Sequence, residues 1–480
     1  MPHPPAQDHP REVAGHGLHP PADPRRWAAL AVICLAQFML VLDVTVVNVA
    51  LPDMAADLRL DRTALTWVVT AYTLTFGGLM LLGGRLADLL GARRTLLAGL
   101  LLFTAASLLT GLAQNAGTLI GGRIAQGVGA ALLSPAALAI VTTTFHGPER
   151  TRALGVWAAI GGTGSAAGVL LGGALTQGPG WQWIFHLNVP VGIAVLAAVP
   201  ALVPARAPRP ARLDVPGALL VTAATGILIH GLVRAGDDGW SDSLTLLALA
   251  GSLALYAAFA LTERATRSPL MDLRMFTRRP VLAGSFLMLI ATALLIGFFF
   301  LGSVHLQQVR GYSPLGTGLV FLPAAVAVAL GAHLASRLVG RAGSRACAAG
   351  GLALAAAGTV PLALQTAGSS VYGVFLPGLV TASFGVGAVF VTATTTALAM
   401  IDHREAGLAS GVVNTFHEVG ASVGAAVVST VAATGIAAGA LDGFTDAYAL
   451  LAVAATAGAL VSLALVPRGK PRLTGGPHVH

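Results

Sequence analysis

The stretch Trp27 to Ala50, WAALAVICLAQFMLVLDVTVVNVA, decides the fold. It runs 24 residues and carries one charged side chain, Asp43. Wound as a helix at 1.5 Å per residue it is about 36 Å long. That is enough to cross a hydrocarbon core of ~30 Å with some tilt. The rest of the chain has the same character: 10% of its 480 residues are charged and 55% are hydrophobic, with a mean hydropathy of +0.78. A soluble domain carries roughly 25% charged residues, so this composition does not cover a water-facing surface. An all-α integral membrane protein follows.

Apolar runs recur along the chain between short breaks that carry Arg, Gly or Pro. The expected spans are 27–50, 65–83, 95–113, 117–143, 153–175, 184–203, 215–233, 243–262, 280–304, 317–339, 346–366, 371–400, 407–433 and 446–466. With the N-terminus on the cytoplasmic side, 23 of the 28 basic residues fall in cytoplasmic loops or tails. The opposite side holds Arg59, Arg62, Arg234 and Arg310 among acids such as Asp53, Asp57, Asp237 and Asp442. Cytoplasmic loops attract Arg and Lys, so both termini are expected inside the cell. Residues 1–26, rich in Pro and His, read as a disordered cytoplasmic tail without the apolar core of a signal peptide, and 467–480 read as a second cytoplasmic tail.

A repeat sits inside this pattern. At a constant offset of 256 residues, Glu149, Ala153, Gly155, Val156, Gly164 and Gly168 match Glu405, Ala409, Gly411, Val412, Gly420 and Gly424. The match implies two six-helix bundles, 27–204 and 279–466, with a linker and two extra central helices in 205–278. Parallel repeats of this kind belong to transporters.

Several chemistries are excluded. The chain's one lysine, Lys470, lies near its end, so no Walker A or Schiff-base lysine exists in the hydrophobic body. His417-Glu418 opens an HExxH pattern, but Ala421 stands where its second histidine would be. No metal site, cofactor, nucleic-acid partner or obligate protein partner is expected, and Cys34 and Cys347 read as buried free thiols. Gly164, Gly168 and Gly172 recur every four residues, followed by Gly173, and form a smooth helix face. Such faces let helices approach closely, either as a gliding contact between the halves or as static packing.

Ionisable residues inside the spans are few: Asp43, Arg123 and Glu418, with His417 beside Glu418 and His305 at the outer end of the ninth span. Charge within a bilayer is expensive, so such residues point to function. Asp43 and Arg123 each lie six or seven residues below the outer end of their spans, roughly 10 Å deep, and pair if their helices are neighbours. The plainer alternatives are a static buried pair that sets helix register and, for Glu418 and His417, a cavity position without titration. Asn48, Gln126, His305, Asn414 and His417 are candidates for the cavity wall.

Five segments carry a resemblance. They are LDVTVVNVALP (Leu42 to Pro52), GGRLADLLGARR (Gly83 to Arg94), GGRIAQGVGAALLSP (Gly121 to Pro135), WQWIFHLNVPVG (Trp181 to Gly192) and LQQVRGYSPLGTGLVFLP (Leu306 to Pro323). In this order, and at these positions relative to the spans, they resemble the fourteen-span drug:proton antiporter branch of the major facilitator superfamily. The resemblance implies a gating loop built on Gly84, Asp88, Gly91, Arg93 and Arg94, with Asp88 taking helix-end contacts from the other half. It also implies a role for Arg123 in proton coupling. The sequence departs from the family pattern at Gly168–Gly173, where a proline is missing, at Leu89, Ala92 and Gln182, where basic residues are usual, and at His417-Glu418, where Arg-Gln is common. The expected function is proton-coupled export of amphipathic small molecules through the cell membrane. A uniporter or importer on the same fold would move no protons, and a membrane enzyme would need a catalytic segment that no loop here is long enough to hold.

Overall fold

A computed structural model describes residues 24–60, 62–205, 214–266, 269–271, 273–399, 405–438 and 441–468. The long helices are α1 (Arg26–Leu58), α2 (Arg62–Leu90), α3 (Ala92–Gly111), α4 (Ala116–Thr144), α5 (Gly147–Gln177), α6 (Asn188–Leu202), α7 (Val215–Asp237) and α8 (Ser243–Ala265). They continue with α9 (Arg279–Val304), α10 (Pro314–Ala342), α11 (Ser344–Ala363), α12 (Leu376–Ala397), α13 (Ala406–Ala438) and α14 (Asp442–Leu465). No strand occurs among the described residues. In lipid every backbone N–H and C=O needs an internal partner, which helices supply within one segment.

Among the described residues, 12 helices are long and apolar enough to cross a membrane. Helices α5 and α13 occupy the fifth and thirteenth expected spans but are not among those 12, so the count of fourteen is not established by length and composition. Several helices outrun their apolar stretch. α1 continues to Leu58 and α2 to Leu90, so the expected gating loop is the end of α2, a single hinge residue and the start of α3. Polar side chains at a helix end do not stop the backbone ladder, and only a change of conformation does. That change falls at Gly91, with φ 94°, and again between α10 and α11 at Gly343, with φ 84°, a region costly for residues with a Cβ.

Starts are marked by side chains that accept the first free N–H groups: Asn115 from Thr118, Asp242 from Thr245 and Ser313 from Gly316. The terminal segment 1–23, the stretch 206–213 that holds most of the Pro/Arg linker, Arg404 and residues 469–480 lie outside the described residues.

Packing sorts the helices into two sets with matching neighbours. In the first, α1 packs on α5, α4 on both α2 and α3, and α3 on α6. In the second, α9 packs on α13, α12 on both α10 and α11, and α11 on α14. The sets meet along α5 against α10 and along α13 against α2. Helices α7 and α8 pack on each other, and α7 lies over the seam between α2 and α13.

Candidate functional site

Three places concentrate polar chemistry. The first is inside the first helix set. Asp43 on α1 is 0% exposed and Arg123 on α4 is 1% exposed, and they form an ion pair at 2.5 Å. Arg123 also donates through Nε to the Val68 carbonyl (3.1 Å) and through a terminal nitrogen to Gln126 Oε1 (3.0 Å). The second carboxylate oxygen of Asp43 accepts from Gln126 Nε2 (3.1 Å) and Asn188 Nδ2 (3.0 Å). Gln126 also donates to Ser107 Oγ at 2.8 Å, and the Arg123 guanidinium lies 4.2 Å from the centre of the Tyr72 ring. The ion pair is therefore held by neutral donors and acceptors from three further positions, Val68, Gln126 and Asn188, with the Tyr72 ring beside it. Among the described residues the buried Tyr72 hydroxyl has no hydrogen-bond partner.

The second place is a cavity between the two sets, about 1110 Å³ of space unfilled by protein with its open mouth included. The first set contributes Val41, Val44 and Thr45, which flank Asp43, with Phe76, Ser134 and Trp157. The second contributes Met288, Phe390, Asn414, His417 and Glu418. Asn414 Nδ2 donates to Ser134 Oγ across the seam at 3.2 Å. His417 Nδ1 lies 3.2 Å from Glu418 Oε1. A carboxylate accepts only, so the imidazole proton sits on Nδ1 when Glu418 is ionised.

The third place joins the two helix sets at the end where α2 leaves and α13 begins. Asp88, near the end of α2, accepts from the Gly407 N–H (2.7 Å) and the Leu408 N–H (2.8 Å) in the first turn of α13. Those donors have no partner within their own helix, and a helix N-terminus favours negative charge. A side chain at Gly84 would meet the Gly407 carbonyl, so α2 and α13 touch backbone to backbone there. Arg150 on α5 reaches the Leu398 carbonyl beyond α12 at 2.7 Å, which ties the same end a second time. Gly91 is the hinge that follows; Arg93 is half-buried and Arg94 exposed at the start of α3.

Other expected positions fall elsewhere. His305 is not in the cavity wall: it is fully buried in a π-helical turn, His305–Val309, between Phe375 (5.6 Å) and Phe444 (5.5 Å). The sequence places it at the outer end of the ninth span and offers it for the cavity wall; the structure seats its ring against Phe444 of α14 instead. Gln126 faces Asp43 instead of the cavity, and the Asn48 side chain lies outside the described residues. Of the glycine stripe, Gly164 and Gly168 face Val41 and Thr45 of α1, Gly172 is buried, and Gly173 has open space around its α-carbon. The stripe is packing within one helix set, because α5 turns a different face, at Gly155, toward Ser336 of α10. Asn188, Ser107 and Tyr72 were not singled out from the sequence. Asn188 lies within the segment Trp181 to Gly192, and nothing about the other two separates them from ordinary polar residues of a span.

Comparison with known proteins places this geometry. The sequence profile of the Major Facilitator Superfamily matches residues 33–425. The puromycin resistance protein pur8 of Streptomyces alboniger is 42% identical over 84% of this chain and 80% of its own. The cephamycin export protein CmcT of Amycolatopsis lactamdurans is 39% identical, over 82% of each chain. The lincomycin resistance protein of Streptomyces lincolnensis is 38% identical, over 92% of each. Among solved structures, the human organic anion transporter MFSD10 superposes with a TM-score of 0.65 at 17% identity, over 94% of this chain and 100% of its own. The proton:xylose symporter XylE gives 0.66 at 14% identity, over 92% and 96%. These two likenesses speak for the fold.

Proposed function

The chain belongs to the Major Facilitator Superfamily of membrane transporters, and from that premise we propose that it is a proton-coupled antiporter exporting amphipathic small molecules across the plasma membrane. Export is favoured by relatives named for resistance to puromycin and lincomycin and for export of cephamycin. The observation that carries proton coupling is the Asp43–Arg123 pair, buried beside a cavity that both helix sets line.

In this reading the two six-helix halves rock about the cavity, and the Asp88 contact with α13 holds the cytoplasmic end shut. A proton arriving at Asp43 from outside neutralises the carboxylate and loosens its hold on Arg123, which favours opening toward the cytoplasm. Substrate entry there restores the ion pair and releases the proton. Each state change draws on a difference in affinity between the two conformations, and a proton moving down a potential of 100 mV contributes about 2.3 kcal/mol.

The test uses inverted membrane vesicles with an acidic lumen. Added puromycin should release protons from the lumen, and a protonophore should stop its uptake. Uptake that survives a collapsed gradient and requires ATP rules the proposal out.

A further inference from the structure

Among the described residues that line the cavity, Glu418 is the only Asp or Glu, and no Lys or Arg accompanies it. The Asp43–Arg123 pair is not in the wall and is neutral as a unit. The cavity thus holds one carboxylate with no Lys or Arg beside it, in contact with the His417 imidazole and set among the aromatic side chains of Phe76, Trp157 and Phe390. An uncompensated charge in the membrane interior is costly, and attraction to a positive guest is strongest where water is scarce. Aromatic faces add to that attraction for the same sign of guest and repel an anion.

We infer that Glu418 forms a subsite for the positive centre of an amphipathic organic cation, an amine or a quaternary onium ion, while the rings take the apolar body. The inference rests on the transporter reading and assigns its substrate class. Glu418 then meets the charge of the guest and Asp43 carries the proton, so the two carboxylates have separate tasks. His417 is a positioning residue: its Nδ1–H holds Glu418 Oε1 at 3.2 Å, and its ring lies 6.0 Å from that of Phe390. Little else perturbs the pair. The α1, α4, α9 and α12 residues of the wall are uncharged, and α7 and α14 place no charged group there.

Equilibrium binding to the purified protein in lipid nanodiscs tests this with two probes of similar shape. Tetraphenylphosphonium is a permanent cation and triphenylphosphine oxide is neutral. Glu418→Gln should weaken phosphonium binding about tenfold or more and leave the neutral probe within about twofold. Glu418→Asp should restore most of the cation affinity. His417→Ala should lower it about threefold, and His417→Asn, which keeps a donor near the Nδ1 position, should recover it. Retained neutral-probe binding shows that the variants are folded. Unchanged phosphonium affinity in Glu418→Gln, or an equal loss for both probes, overturns the inference. Neither outcome depends on a gradient. Puromycin-driven proton release by the unaltered protein, together with Glu418-independent cation binding, would sink this inference alone. Glu418-dependent cation binding without proton release would sink the antiport reading and keep the subsite.

Discussion

Arg123 meets a carboxylate, a side-chain amide, a backbone carbonyl and an aromatic face at once. Removing one partner of such a buried pair leaves the other charge uncompensated, at a cost of about 3–5 kcal/mol. Arg123→Ala should therefore lower thermal stability in detergent more than the double variant Asp43→Asn/Arg123→Ala, in which no bare charge remains. If the double variant is the less stable one, the pair is not coupled as drawn. Asn188→Ala removes a donor from Asp43 and should cost about 1–3 kcal/mol in the same measurement. The pairing itself was legible, because Asp43 and Arg123 are rare charges at matching depths. Asn188, Ser107 and Tyr72 were not, since a neutral polar residue in a span gives no sign of which neighbour it faces until the helices are placed.

Among the helices, the joint between α2 and α13 has the clearest consequence. Two N–H groups of α13 converge on the Asp88 carboxylate, and hydrogen bonds to a charged group contribute about 1.5–3 kcal/mol each. Asp88→Asn loses the charge and one acceptor, so the closed state at this end should be depopulated about tenfold or more. A Ser134→Cys reporter in the cavity wall, with Cys34 and Cys347 replaced, should then react faster with an impermeant thiol reagent applied from the cytoplasmic side. An unchanged rate would mean that Asp88 does not hold this end. Helix existence was readable from hydropathy alone, and helix ends were not: α2 passes through Arg85 and Asp88 because charged side chains leave backbone hydrogen bonding intact. The glycine repeat likewise announced close packing but not its partner, which for Gly164 and Gly168 is α1 of the same set.

Across the whole molecule the repeat becomes a matched geometry. Gly155 of α5 meets Ser336 of α10, and its counterpart Gly411 of α13 meets the backbone of α2 at Met80 and Gly84. The two seams are alike, except that α7 covers the second. The arginine asymmetry gives the orientation proposed for this assembly: reporter fusions at either terminus should behave as cytoplasmic and a fusion after Asp238 as external. A C-terminal reporter on the outside would contradict it. Asp43 as the carrier of the proton that drives export is checked by puromycin-dependent proton release from inverted vesicles containing Asp43→Asn. With Asp43 as the carrier, release should disappear while puromycin binding stays measurable. Release at the unaltered rate and with an unaltered pH profile would contradict it and move the proton to another residue, Glu418 first among them.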